Sequence, residues 1–159
     1  MTPYYESQRF NQWWMWAILI LVAGITIWGS IQQLVFGIPF GNNPAPDGVM
    51  GAMNLIPIIL IGLFLVMQLR TTLSEHGVEM YFFPFIRKQW AWSEVESYEV
   101  KAYSPIADYG GWGFRWNGKT MVYSVGGNHG LELRLKNGKS VLIGTQQPDE
   151  MKKWLNQIG

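Results

Sequence analysis

The sequence predicts an α+β membrane protein: a two-helix transmembrane hairpin, then an antiparallel β-barrel capped by a C-terminal α-helix. Three observations predict it. Two uncharged apolar runs, residues 14–36 and 49–69, stand near the front of the 159-residue chain. Beyond position 70 the apolar residues recur at every second position, with glycine turns between runs. The final stretch returns to helical spacing. The expected organisation is an N-terminal segment over 1–12, the hairpin over 13–69 and the β domain over 70–159.

A hydrocarbon core about 30 Å thick requires about 20 apolar residues in a helix. The first run reaches about 34 Å at about 1.5 Å per residue. In the second, the Leu, Ile, Phe and Val residues of the 55–66 block favour insertion by about 3–6 kcal/mol in all. Asn54 and Pro57 oppose this without reversing it. Two core helices of a soluble domain would need a larger chain to cover them than the 90 residues that remain. The first run is too long in its apolar core for a cleaved signal sequence, and no small-residue cleavage pattern follows it.

Trp13, Trp14 and Trp16 cluster where the first run begins, which reads as an anchor at the headgroup level, with Arg70 marking the other end. Arg9 precedes the first run; Arg70, Arg87 and Lys88 follow the second. The connecting loop GIPFGNNPAPDG holds Asp47 and no Lys or Arg. This asymmetry predicts a multi-pass protein of the inner (cytoplasmic) membrane with both termini cytoplasmic. Gly24, Thr26, Gly29 and Ser30 would permit close helix approach. Asn54 is expected to hydrogen-bond to the partner helix, at Gln32 or Gln33, and Pro57 to kink the second helix.

Before position 70 the charged residues are Glu6, Arg9 and Asp47, which leaves eleven Lys and Arg against nine Asp and Glu behind it. That near-balance does not suggest nucleic acid as partner, which wants a dominant basic face. The absence of cysteine excludes disulfides, thiolate metal sites and a cysteine nucleophile. No internal repeat or low-complexity tract stands out.

Alternation places about seven strands, at 70–74, 78–83, 87–92, 97–103, 112–116, 120–125 and 130–136, with 140–144 closing the set if the first is short. Glu75-His76-Gly77, Asn117-Gly118 and Asn137-Gly138 supply turns, and Asn-Gly is a strong hairpin signal. Ser93-Glu94-Val95-Glu96 reads as one helical turn. Pro148 suits the first position of the last helix, with Asp149 and Glu150 favoured by its dipole. Met151, Trp154, Leu155 and Ile158 form its apolar stripe, with Lys152 and Lys153 facing away.

About seven antiparallel strands and one closing helix resemble the bacterial pleckstrin-homology-like domains, which often follow a two-helix membrane hairpin. The resemblance is carried by FFPFIRKQWAWSEVESYEV (82–100) and GLELRLKNGKSVLIGTQQPDEMKKWL (130–155). The middle, YSPIADYGGWGFRWNGKTMVY (103–123), resembles an uncharacterised membrane-anchored family of this type. The resemblance implies a non-enzymatic interaction or assembly module at the bacterial inner membrane. Eukaryotic relatives that bind phosphoinositides use Lys and Arg at the first hairpin. Here that turn, Ser74-Glu75-His76-Gly77, is acidic, so phosphoinositide binding does not carry over.

The glycine-rich stretch 107–113, with Tyr109, Trp112, Arg115 and Trp116 in or beside it, combines aromatic and cationic surface in the way contact sites do. Its bland reading is a glycine-kinked strand with Trp in the core. The second glycine loop, 126–130, lacks the spacing of a phosphate cradle, and His129 reads as part of a polar hairpin tip. The stretch 82–88 mixes phenylalanines with Arg87 and Lys88. It reads either as a loop touching lipid headgroups or, preferably, as a hairpin with its Phe residues inside.

No catalytic, cofactor or metal constellation emerges. Expected partners are membrane lipids and a protein partner or a second copy of the chain. The contact candidates are Tyr109, Trp112, Arg115, Trp116, Lys119, Arg87 and Lys88. The rival readings are a sensor of anionic lipid headgroups through Arg87, Lys88, Arg115 and Lys119, and an enzyme using Asp108 and His129 as acid and base. The last lacks a motif.

Overall fold

The computed structural model describes residues 2–158, which fall into two compact units. One is residues 11–66. The other joins residues 2–10 to residues 67–158.

The helical unit carries the two runs long and apolar enough to cross a membrane, Trp13–Val35 and Asp47–Val66. The first is an α-helix, α1 (Trp13–Ser30), that relaxes into a π-helical turn at Ile31–Val35. The second is α2 (Asp47–Met53) followed by α3 (Leu55–Val66). The break at Asn54 has a cause one turn downstream. Pro57 lacks the N–H that would bond to the Met53 carbonyl, and its ring crowds that carbonyl.

Asn54 does bond across the hairpin, but to Ser30 rather than to Gln32 or Gln33: Nδ2 donates to Ser30 Oγ at 2.6 Å. Ser30 Oγ in turn donates to the Met50 carbonyl at 3.2 Å. Gly29 sits against Met50 and the Phe40 ring, where any Cβ would collide. Gln33 ties the connecting loop, donating at 2.7 Å to both the Ala45 carbonyl and Asp47 Oδ1. Away from these contacts the apolar side chains lie open, with Ile20 and Ile59 each 64% exposed. Core helices of a soluble protein would bury them.

The second run stops at Val66, three residues short of the expected 69. Leu69 and Arg70 belong to strand β2 (Gln68–Ser74) and not to the end of a span.

Among the described residues the β unit has nine strands, eight of them where alternation placed them. They are β2, β3 (Gly77–Phe83), β4 (Ile86–Ala91), β5 (Val95–Ala102), β6 (Gly113–Trp116), β7 (Thr120–Ser124), β8 (His129–Leu135) and β9 (Ser140–Thr145). The ninth is β1 (Tyr4–Arg9), in the N-terminal segment, which pairs antiparallel with β2 along its length. The helical hairpin is therefore an insertion between two hydrogen-bonded neighbours, leaving after Arg9 and returning at its register partner Gln68.

The strands do not close into a barrel. They form a four-stranded sheet, β1-β2-β3-β4, and a five-stranded sheet, β5-β8-β9-β7-β6. The second is mixed, because β7 runs parallel to β9 with Thr120 opposite Ser140. Each sheet ends in free edges, and side chains link the inner faces. Glu6, only 4% exposed, accepts from Thr145 Oγ1 at 2.7 Å, from the Gln146 amide at 2.7 Å and from Tyr4 Oη at 2.8 Å. Gln8 Nε2 donates to the Gly144 carbonyl at 2.7 Å. Between them pack Leu69, Leu73, Val78 and Met80 from one sheet and Leu131, Leu133, Val141 and Ile143 from the other.

The closing helix α5 (Pro148–Leu155) buries Met151, Trp154 and Leu155 as its spacing required. It packs on β5, and Trp154 Nε1 donates to the Thr2 carbonyl at 3.0 Å. On the outer face of the second sheet, Val122, Leu142 and Tyr103 form a small cluster that Tyr109 of α4 (Pro105–Tyr109) partly covers.

Candidate binding groove

Strand parity decides what each candidate side chain can do. In β4 the sequence IRKQWA gives no alternation, so register must assign the faces. Lys88 pairs with Met80 and Trp90 with Val78, both wholly buried, which puts Lys88 and Trp90 on the inner face. Arg87 and Gln89 pair with Tyr81 and Glu79 on the outer face. There Arg87 is held by Glu79 in an ion pair of 2.6 Å.

The same rule sorts the β6–β7 hairpin. Trp116 pairs with Met121 and Phe114 with Tyr123, and Met121 and Tyr123 in turn oppose Val141 and Ile143 of the core. Trp116 therefore projects on the inner side, where it remains 68% exposed because β6 is the sheet edge. Arg115 pairs with Val122 and takes the outer side.

Where the first sheet ends at β4 and the second at β6–β7, the sandwich stays open. The gap is a groove of about 420 Å³. Its floor is Val141, Leu135, Met121 and Tyr123, its walls carry Trp90 and Trp116, and Lys88, Lys119 and Lys139 stand around it. Two matching turns position the last two lysines, Asn117-Gly118-Lys119-Thr120 and Asn137-Gly138-Lys139-Ser140. In each, the Asn Oδ1 accepts from the following Lys amide, at 3.2 Å and 3.0 Å, and the glycine adopts positive φ, +91° and +81°. Asn-Gly supplies this geometry without a Cβ penalty. The parallel β7–β9 pairing then sets the turns side by side, and the Ser140 amide donates to the Lys119 carbonyl at 3.3 Å.

A groove lined by three lysines and by apolar and aromatic residues suits an anionic partner that also has an apolar part. Of the sequence candidates, Lys88, Trp116 and Lys119 meet here. Trp90 and Lys139 were not singled out; the recurrence of Asn-Gly-Lys before Thr or Ser was the available signal.

The remaining candidates lie elsewhere. Tyr109 packs edge-on against Tyr103, centroids 5.9 Å apart, and burial pushes both phenols above their ordinary value. Trp112 Nε1 donates to the Gly127 carbonyl at 2.9 Å, which fastens the two glycine loops together. Asp108 accepts from the Ser104 amide at 2.7 Å while Ser104 Oγ caps Ala107, so this carboxylate helps start α4. His129 is half-buried in β8 between Ala102 and Thr145. Arg70 lies on the outer face of β2, one rung in from its first residue, with its guanidinium carbon 5.6 Å from the Phe83 ring centroid. Trp13 and Trp14 are exposed and Trp16 is half-buried in the first turns of α1. Among the described residues no group of three or more His, Asp or Glu is placed to hold a metal ion. No protein-family model matches the chain, and no curated protein does.

Proposed function

We propose that the chain is a membrane-anchored, non-enzymatic binding module. Its two helices span the bacterial cytoplasmic membrane with both termini inside. Its pleckstrin-homology-like β unit offers the groove between β4 and β7–β9 to an acidic protein partner. The observation that carries this reading is the meeting of Lys88, Lys119 and Lys139 with Trp90 and Trp116 around one apolar cleft. Aromatic anchors ringed by charge are the usual composition of contact surfaces.

The test compares what co-purifies with the full chain in mild detergent against what co-purifies with a Lys88→Glu/Lys119→Glu variant. A defined partner, or a second copy, held by the wild type and lost from the variant is the expected result. An identical set from both proteins, or a wild type that is monomeric and alone, refutes the proposal.

A further inference from the structure

The outer face of the first sheet is polarised from end to end. Its last rung at one end is Arg9–Gln68–Phe83, and the rung before it is Ser7–Arg70–Tyr81–Arg87. Beyond the last rung the chain leaves through residues 10–12 and re-enters through Met67, and the β3–β4 turn, residues 84–85, lies at the same end of the sheet. At the opposite end is the Ser74-Glu75-His76-Gly77 turn, followed nearby by Glu79 and Glu94 of the same cleft. Basic and aromatic side chains thus gather at the end joined to the helices, and acidic ones at the far end.

The turn itself has an odd occupant. Phe82 is buried at 3% exposure, as a hairpin phenylalanine should be, but Phe85 is 58% exposed. Its backbone is held by a 2.8 Å bond from the Phe85 amide to the Phe82 carbonyl, so the exposed ring sits on a tight turn. Next to it Phe83 meets Tyr81 edge-on at 5.5 Å and carries the Arg70 guanidinium. The Arg70 guanidinium donates to Gln68 Oε1 and has no acidic partner among the described residues, whereas Arg87 is already neutralised by Glu79.

We infer that this end of the first sheet rests on an anionic phospholipid surface, with Phe85 inserted among the headgroups and Arg9 and Arg70 facing lipid phosphates. The inference rests on the reading that the apolar hairpin spans a bilayer. Three residues separate Arg9 from Trp13 and one separates Val66 from Gln68, so chain reach holds Arg9 within about 14 Å and Gln68 within about 7 Å of the span residue each is tethered to. Aromatic rings and arginines concentrate at that depth, and anionic lipid attracts each cation there.

The chain has no cysteine, so single labels are clean. Nitroxide is placed at Phe85→Cys, at Ile59→Cys within α3 as the lipid reference, and at Ile106→Cys on α4 as the aqueous reference. The full chain is studied in nanodiscs of phosphatidylcholine with phosphatidylglycerol and of phosphatidylcholine alone. In anionic discs the Phe85 label should be shielded from an aqueous nickel relaxant and open to oxygen, as at Ile59 and unlike Ile106. Adding Arg9→Gln should lower its shielded-to-exposed ratio about fivefold in anionic discs and leave neutral discs unchanged. A Phe85 label as open to nickel as Ile106, with Ile59 in lipid, overturns this inference alone. An Ile59 label open to nickel overturns it together with the membrane reading.

Discussion

Replacing Glu6 tests how the two sheets are held together. Its carboxylate is buried and accepts three hydrogen bonds, of which only the Thr145 donor is itself fully buried, at 1% exposure. Hydrogen bonds to a charged acceptor contribute about 1.5–3 kcal/mol each when desolvated, and an orphaned buried donor costs about 1–3 kcal/mol. Tyr4 is half-buried and the Gln146 residue is exposed, so water can satisfy those two donors in part. Glu6→Ala should therefore cost about 2–4 kcal/mol, dominated by Thr145, with relief of the carboxylate's own desolvation holding down the total. Glu6→Gln keeps the volume and one acceptor for the Gln146 amide. Thr145 and Tyr4 can turn their hydroxyls to receive the new amide, so this change should cost about 1 kcal/mol. The assay is urea unfolding of the full chain in detergent, followed by near-ultraviolet circular dichroism, with amide exchange across residues 4–9 as the local readout. Equal and small losses, below about 0.5 kcal/mol for both variants, would refute the view that Glu6 fastens β1 to β9.

Three further outcomes follow from the same contacts. A Ser30→Ala/Asn54→Ala double-mutant cycle should give a coupling of about 0.6 kcal/mol, and at most about 1.7, in unfolding from bicelles, because their 2.6 Å bond joins the helices in an apolar setting. Gly29→Val should destabilise the hairpin by about 1–3 kcal/mol in that assay, since Met50 and Phe40 fill the space a side chain needs. Burial, then the bond to Glu6, raises the Tyr4 phenol above its ordinary value. A raised folded-state value stabilises fully below the unfolded value of about 10 and is lost as pH climbs above it. An alkaline titration should show stability falling from about pH 10 upward, with Tyr4→Phe making the fall shallower; Tyr103, Tyr109 and Tyr123, raised likewise by burial, account for what remains.

What was legible in the sequence follows from which faces are apolar. VEMYFF buries its alternate residues and LELRL its leucines, and β3 and β8 lie where that pattern put them, although Glu132, expected to face out, is buried against Lys101. β1 was hidden because its inward positions are Glu6 and Gln8, so YYESQR offers no apolar period. Their burial is only tolerable because Thr145, Gln146 and Gly144 supply partners 136 to 140 positions away, which no local window contains. The open sandwich was hidden for a related reason. Alternation fixes which face a residue takes, not which strand lies beside it, and the parallel β7–β9 pairing is a non-local choice. The groove was half legible. Lys88, Trp116 and Lys119 were found as exposed basic and aromatic residues. That Arg87 and Arg115 turn away from them depends on registers set by Met80 and Val122.

The insertion of the apolar hairpin between β1 and β2 bears on topology more directly than the few flanking charges do. Arg9 and Gln68 are register partners, so the chain leaves and re-enters the β unit at adjacent points of one ladder. A chain that crosses a bilayer between those points must cross it an even number of times, or the ladder cannot form. Two apolar helices meet that condition, and one would not. Charge bias alone would tolerate either count, whereas the β1–β2 ladder and the buried Glu6 contacts behind it favour the return crossing with the free energy of a folded sheet. A chain lacking residues 47–66 therefore tests the coupling. With one crossing it should strand β1 on the far side and lose protection of the β1 and β2 amides to exchange. Retained protection across residues 4–9 and 68–74 would show that the hairpin does not span.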